Sequence, residues 1–292
     1  VKSYSKSLKK ELVLNCKYLV GCDGANSSTS DYIGNEIKDY GLKEKFLVLD
    51  LKVDNRYNNI KNLPDFTVQH CDKVRPVTRC YISKKRRRWE VKILPSDNQE
   101  KFLESKTIWK FLSKWIEKKN AMIERSQVYT FRSILKKKWF EDRIILAGDS
   151  AHLSPPFLGQ GMCAGIRDVA VLAWRLKGYA SDKLSNKDLV NYQNERFPHV
   201  SAFIKLASDV GKIMSNPDLL KKSKKTQSMR LFDFPKPRLK KGFFYNCSLS
   251  GRLFPQFIEG NKKSDDSLGY EFVFLVLKED TFNDVGIDNK IL

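Results

Sequence analysis

The sequence predicts a mixed α/β (α+β) fold, and three observations predict it. Between residues 45 and 94, short segments rich in Val, Ile, Phe and Tyr are separated by Asn, Pro, Asp and Lys turns, the spacing of an antiparallel sheet. The run "RIILAG" (143–148) is apolar without alternation, as a parallel strand covered on both faces is. Beyond it, the apolar residues change to helical period.

Taken in order, "CKYLVGCDGANSS" (16–28) reads as a short buried strand ending in an Asp-Gly turn at Asp23 and Gly24. The sheet strands are "KFLVLDLKV" (45–53), "DFTVQHC" (65–71), "VTRCYIS" (77–83) and "RRWEVKIL" (87–94). Residues 97–120 are predicted helical, because Ile108, Leu112, Trp115 and Ile116 share one face with lysines opposite. "SQVYTFRSIL" (126–135) returns to strand character. A long helix starts at Gly161, with Ile166, Val169, Ala170, Ala173 and Leu176 along one face. Residues 185–214 form a mostly helical segment broken at Pro198. The polar, basic, Pro-containing stretch 216–242 reads as a linker, and the last fifty residues, with "FVFLVL" (272–277), as the start of a strand-bearing unit.

The chemistry concentrates in "RIILAGDSAHLSPPFLGQGMCAGIRDVAVLAWRL" (143–176). Parallel strands present ligands at their carboxyl ends. Asp149 sits there, directly after Gly148, which removes a side chain from the ligand's path. A carboxylate only accepts hydrogen bonds, so it suits the hydroxyls of a ribose or sugar-alcohol chain and repels a bound anion. Pro155 and Pro156 stiffen the loop, while Gly159 and Gly161 let the backbone approach a flat ligand. The first amides of the helix at Gly161 lack internal partners and lie at the positive end of its dipole, favouring a ring that carries negative charge when reduced. The Gly-x-Gly here is no dinucleotide fingerprint, because the strand ends roughly ten residues earlier and the fingerprint turns tightly from strand to helix.

Composition narrows the classes. The 292 residues, 41% hydrophobic, suffice for one large domain or two ordinary ones. No window has the ~20 apolar residues of a membrane span, and nothing near Val1 reads as a signal peptide. The six scattered cysteines form no CxxC pair and there are only three histidines, so neither a disulfide framework nor a metal site is expected, and a reducing cytoplasm is. The net charge of +20 raises nucleic acid as an alternative partner. Its basic runs, "KKRRR" (84–88), "KKK" (136–138) and "KKSKK" (221–225), are dispersed and carry no interleaved aromatics, which argues against it.

The 143–176 stretch resembles the Gly-Asp motif and following helix of the class A FAD-dependent aromatic hydroxylases, the para-hydroxybenzoate hydroxylase fold. "YLVGCDGANSS" resembles their second hallmark, the Asp-Gly motif, and "MRLFDFPKPRL" and "GRLFPQ" resemble the phenol hydroxylase and 3-(3-hydroxyphenyl)propionate hydroxylase branch. The resemblance implies a monooxygenase that hydroxylates a phenolic compound with NAD(P)H and O₂ through a flavin hydroperoxide. It implies that Asp149, after Gly148, holds the FAD ribityl hydroxyls; that Pro156, Gly159, Gln160, Gly161, Met162 and Cys163 line the isoalloxazine ring; and that Asp23 and Gly24 lie near the pyrophosphate and the nicotinamide nucleotide's path. Asp23 also reads as a turn former, His152 as a loop-ordering residue, and Arg167 and Asp168 as partners in local pairs. No catalytic base is identified, since Tyr81 and His70 read as packing residues.

The chain departs from the family pattern in having no GxGxxG, Ser30 where the Asp-Gly motif usually reaches an Arg, and Cys163 where the helix start usually has Asn. The fold expected is therefore an incomplete version of the family's. It comprises a remnant of the FAD-binding domain (1–44), an antiparallel-sheet substrate domain (45–135), the FAD-binding part with its helices (136–215), and a linker with the start of a truncated thioredoxin-like domain (216–292). An inactive fragment or gene remnant that does not bind FAD alone stands as the alternative. The partners expected are a small aromatic substrate and a further copy or a separately encoded N-terminal half, with no nucleic acid and no membrane.

Overall fold

Alternation and burial define the sheet that dominates the molecule. The computed structural model describes residues 1–34, 36–54, 63–181, 186–216, 218, 258–264 and 266. Two units are distinguished, Val1–Gly251 and Arg252–Leu292. The first opens with a hairpin of β1 (Lys2–Ser5) and β2 (Lys10–Val13), which turns through Lys9 at φ 50°. There follow β3 (Leu19–Gly21), α1 (Ser28–Ile33), the long β4 (Ile37–Val53), β5 (Val68–His70), β6 (Val77–Ser83) and β7 (Arg86–Ile93). Next come α2 (Gln99–Leu103), α3 (Ser105–Leu112), β8 (Ala121–Lys136), β9 (Phe140–Glu141), β10 (Ile144–Leu146), β11 (His152–Leu153), α4 (Gly161–Ala180) and α5 (Asn186–Ser215). The described part of the second unit is a hairpin of β12 (Ile258–Glu259) and β13 (Lys262–Lys263).

Six strands make an antiparallel sheet in the order β11-β8-β4-β7-β6-β5. On β7, Trp89, Val91 and Ile93 are buried and alternate with half-exposed Arg88, Glu90 and Lys92, the period-two pattern of a strand with one core face. The central β4 is buried on both faces from Phe46 to Leu49. Leu47, Leu49 and Leu51 pack with Trp89 and Val91 against Ile108 and Leu112 of α3. Phe46, on the opposite face, meets Phe131 of β8 and Phe157 of the loop before α4, with ring centroids 5.1 and 6.0 Å apart.

A second, three-stranded sheet runs β3-β10-β9, and β10 lies parallel to β3, with Ile145 opposite Val20. The parallel strand read from "RIILAG" is therefore present, and its carboxyl end coincides with that of β3. Around it Ile145, Leu146, Trp139, Leu172, Tyr192 and Ile204 form the second core. Tyr192 fastens α5 to this sheet through its hydroxyl, which donates to the Leu146 carbonyl at 2.9 Å.

Three expectations need correction. The helix expected over 97–120 divides at Glu104, whose ψ of 133° is extended, and α3 ends at Leu112. The amides of Trp115 and Ile116 still bond back to the Leu112 carbonyl, so one tight turn delivers Ile116 to the same core without a continuous helix. Pro198 lies inside α5 and does not break it. The proline faces solvent, whereas Arg196, His199 and Val200 around it are buried, and the packing of that inner face outweighs one missing backbone bond. On α4, Ile166 and Val169 are more than half exposed, and the buried stripe is Ala164, Asp168, Leu172 and Arg175. Apart from residues 216 and 218, the expected linker lies outside the described residues, as do "GRLFPQ" and the "FVFLVL" strand.

Gly211 of α5 fixes how that helix meets the loop before α4. A methyl group there would come within 2.4 Å of Phe157 Cε2 and 2.9 Å of Leu42 Cδ1. Gly211→Ala is expected to destabilise the unit by about 1–3 kcal/mol despite alanine's better helix propensity. Urea denaturation would measure it, and an unchanged or raised midpoint would contradict this packing.

Candidate functional site

Both parallel strands end at one place, and short polar contacts hold it shut. Ser150 Oγ donates to the Gly21 carbonyl at 2.5 Å, and the Ala147 amide donates to the same oxygen at 3.0 Å. Gly21 is required there, because a Cβ would lie 2.6 Å from Thr29 Cγ2. The chain then turns through Gly148 at φ 66°, in the left-handed region that favours glycine. Gly148 is also where α4 comes nearest: a Cβ on Gly165 would sit 3.4 Å from the Gly148 Cα.

This turn leaves Asp149 exposed, with no hydrogen-bond partner among the described residues. Beside it lies a cleft of about 380 Å³, lined by Asp149, Ser150 and His152, by Ser27 and Ser30 of the first motif, and by Arg132 and Lys136 of β8. An unpaired carboxylate next to hydroxyls and cations fits a ligand that offers both hydroxyls and phosphate.

Asp23 behaves differently. Its carboxylate accepts from Ser27 Oγ at 2.5 Å, from the Thr29 amide at 2.9 Å and from Thr29 Oγ1 at 3.0 Å. Partial burial pushes the carboxyl up, but these hydrogen bonds outweigh it and hold the pKa at about 2. Asp23 and Gly24, at φ 80°, thus fix the start of α1 beside the cleft.

Downstream, the loop after Pro155 and Pro156 reaches Gly159 at φ 61°, where a Cβ would meet open space. The first helical bond of α4 runs from Ala164 to the Gln160 carbonyl, so the amides of Gly161, Met162 and Cys163 have no partner within the helix. Met162 is exposed and Cys163 half-buried, leaving this end of α4 accessible.

Sequence reasoning missed what lies beneath. Asp168, fully buried, accepts from His152 Nε2 at 2.6 Å, from Arg196 Nε at 2.8 Å and from the Gly148 amide at 3.0 Å. Burial pushes its carboxyl up, but the bonds and charges of His152 and Arg196 prevail and hold it below the usual carboxylate range. Arg196 Nη1 donates in turn to His199 Nδ1 at 2.9 Å. Asp168 therefore makes no local pair with Arg167, which reaches back to Gln160. The available signal was spacing, since 164, 168, 172 and 175 form a helical stripe with Asp168 in its centre.

The two strand residues that read as packing groups pack. His70 accepts from Arg79 Nε at 2.8 Å and lies against Trp115, and Tyr81 lies under the Arg87 guanidinium. No cluster of metal-ligating side chains occurs among the described residues, and none of their helices is long and apolar enough to cross a membrane.

Known proteins share parts of this sequence and fold. The model of the FAD binding domain family matches residues 2–207. The probable NADH-specific resorcinol 4-hydroxylase of Rhodococcus jostii (strain RHA1) is 34% identical over 206 residues, 70% of this chain and 38% of that protein. The 3-(3-hydroxy-phenyl)propionate/3-hydroxycinnamic acid hydroxylase of Burkholderia cenocepacia (strain HI2424) is 31% identical over 202 residues, 69% of this chain and 36% of that protein. The chain thus spans less than two fifths of the length of either relative. The structure of aklavinone-11 hydroxylase with FAD and aklavinone shares the fold, at a TM-score of 0.62 and 20% identity, covering 72% of this chain and 40% of that one.

The Asp23 bonds make α1 sensitive to acid. Because the folded pKa of about 2 lies below the unfolded value, their stabilisation is complete above about pH 4 and is lost as the pH falls through 2. Protection of the Thr29 and Ser30 amides, taken relative to the exchange rate of an unstructured chain at the same pH, is expected to fall across that window, and Asp23→Asn to flatten the dependence. Protection in the native chain that stays constant from pH 5 to 2 would refute it.

Proposed function

The chain belongs to the FAD binding domain family, and from that premise we propose that it carries the ribityl and ring sites of an FAD-dependent monooxygenase. The reaction proposed is hydroxylation of a phenolic ring with NAD(P)H and O₂. The named activities of the relatives, on resorcinol and on hydroxyphenylpropionate, support the substrate class. The observation that carries the reading is Asp149, an exposed carboxylate without a hydrogen-bond partner among the described residues, on a glycine turn at the end of a parallel strand, beside a cleft.

Asp149 accepts the ribityl hydroxyls and fixes the chain that leads to the ring. Gly148 keeps that approach clear. Pro156 and Gly159 bring backbone to the ring's edge, and the amides of Gln160, Gly161, Met162 and Cys163 at the positive end of α4 favour negative charge on its pyrimidine side. Arg132 and Lys136 attract phosphate at the cleft. Asp23 and Gly24 contribute by holding α1 against the pyrophosphate and nicotinamide path. The aromatic face of β4 and β8, with Phe46 between Phe131 and Phe157, provides apolar surface that keeps water from the reacting ring. FAD, when bound, supplies the electron transfer and oxygen chemistry.

The chain, mixed with FAD and desalted, is expected to keep resolved visible flavin bands. Asp149→Asn should weaken FAD binding about 10- to 100-fold, the worth of a hydrogen bond to a charged acceptor, measured by flavin fluorescence. A wild-type chain left colourless, or a variant that binds as tightly, would sink the proposal.

A further inference from the structure

We propose that Asp168 is a positioning residue for FAD, acting through the Gly148 turn on Asp149; this rests on the reading of Asp149 as the ribityl acceptor. Asp149 sits on a turn whose left-handed residue, Gly148, donates its amide to Asp168 Oδ2 at 3.0 Å. That oxygen is shared with His152 Nε2, and Oδ1 takes Arg196 Nε, so β11, α4 and α5 all meet at one carboxylate. Both contacts are wholly buried, with 0% exposure on each side. A carboxylate only accepts, so His152 carries its proton on Nε2, and its buried Nδ1 is left without a partner among the described residues. His152 is thus held by Asp168 alone among its polar contacts, an arrangement that costs free energy and is retained where it fixes geometry. The two acids act on opposite sides of the turn. Asp168 holds it from below, and Asp149 meets the ligand above it.

The test combines FAD titration with amide exchange on the full chain. Asp168→Asn keeps the size and one acceptor but loses the charge. It should weaken FAD binding about 10-fold, as loss of an orienting partner does, and speed exchange at the Gly148 amide without FAD present. The double variant Asp149→Asn/Asp168→Asn should bind no more weakly than Asp149→Asn alone, because both act through one contact. General damage to the fold would instead add to the Asp149 loss. Should Asp168→Asn fail to fold, His152→Phe removes one donor while keeping a ring, and the same pattern is expected at smaller size. Unaltered affinity and Gly148 exchange in the folded variant, or additive losses, would overturn the inference and leave the proposed function standing. A wild-type chain that takes up no FAD would overturn both.

Discussion

The fully buried Asp168 carboxylate is the constraint on which the site's geometry depends. An isolated ion at that depth is prohibitively costly, and its removal from beside a buried arginine typically costs about 3–5 kcal/mol. Asp168 is held instead by His152, Arg196 and the Gly148 amide, drawn from β11, α5 and the β10 turn. Satisfying that charge sets the rotation of α4: the Asp168 face must turn inward, and Gly165 then comes against Gly148. Hydrophobicity alone would have chosen the Ile166 and Val169 face, which the structure leaves exposed.

How much was legible in the sequence follows from this. Period-two strands were legible, because β4, β6 and β7 owe their form to local alternation and a nearby core. The parallel β10 was legible from its unbroken apolar run, and the start of α4 from its glycines. The rotation of α4 was not, because its determinants lie on β11 and α5, up to 28 residues away along the chain. The continuity of α5 through Pro198 was not either, since it rests on burial of Arg196 and Val200 against partners no local rule can supply. Within the site, Asp149 stood out by its place after a strand and a glycine. Asp168 looked like one more charge on a helix.

Two of the basic runs meet acidic partners locally. Arg86, Arg87 and Arg88 of the "KKRRR" run pair with Glu124, Asp65 and Asp50. Lys137 and Lys138 pair with Glu36 and Glu141. These pairs break two of the three runs into separate contacts. Arg132 and Lys136 are set apart by their position, at the cleft beside Asp149. There a positive field would suit the phosphates of the proposed ligand.

Three aspartates around one turn show how environment, and not residue type, assigns chemistry. Asp23 braces the start of a helix and is held ionised by the hydroxyls and amide that follow it. Asp168 is held ionised by two cationic or proton-bearing side chains and is wholly buried. Each accepts at least three hydrogen bonds from within the protein. Asp149 alone of the three has no such donors among the described residues, and it projects from a turn that Asp168 holds through the Gly148 amide. An acid left unsatisfied in this way stays hydrated until something with hydroxyl groups displaces the water, and the rigidity of the turn means that little ordering cost remains when it does. The division of labour is therefore physical: one carboxylate is consumed in holding the turn and one in starting α1, and the third is left open at the end of the parallel strand.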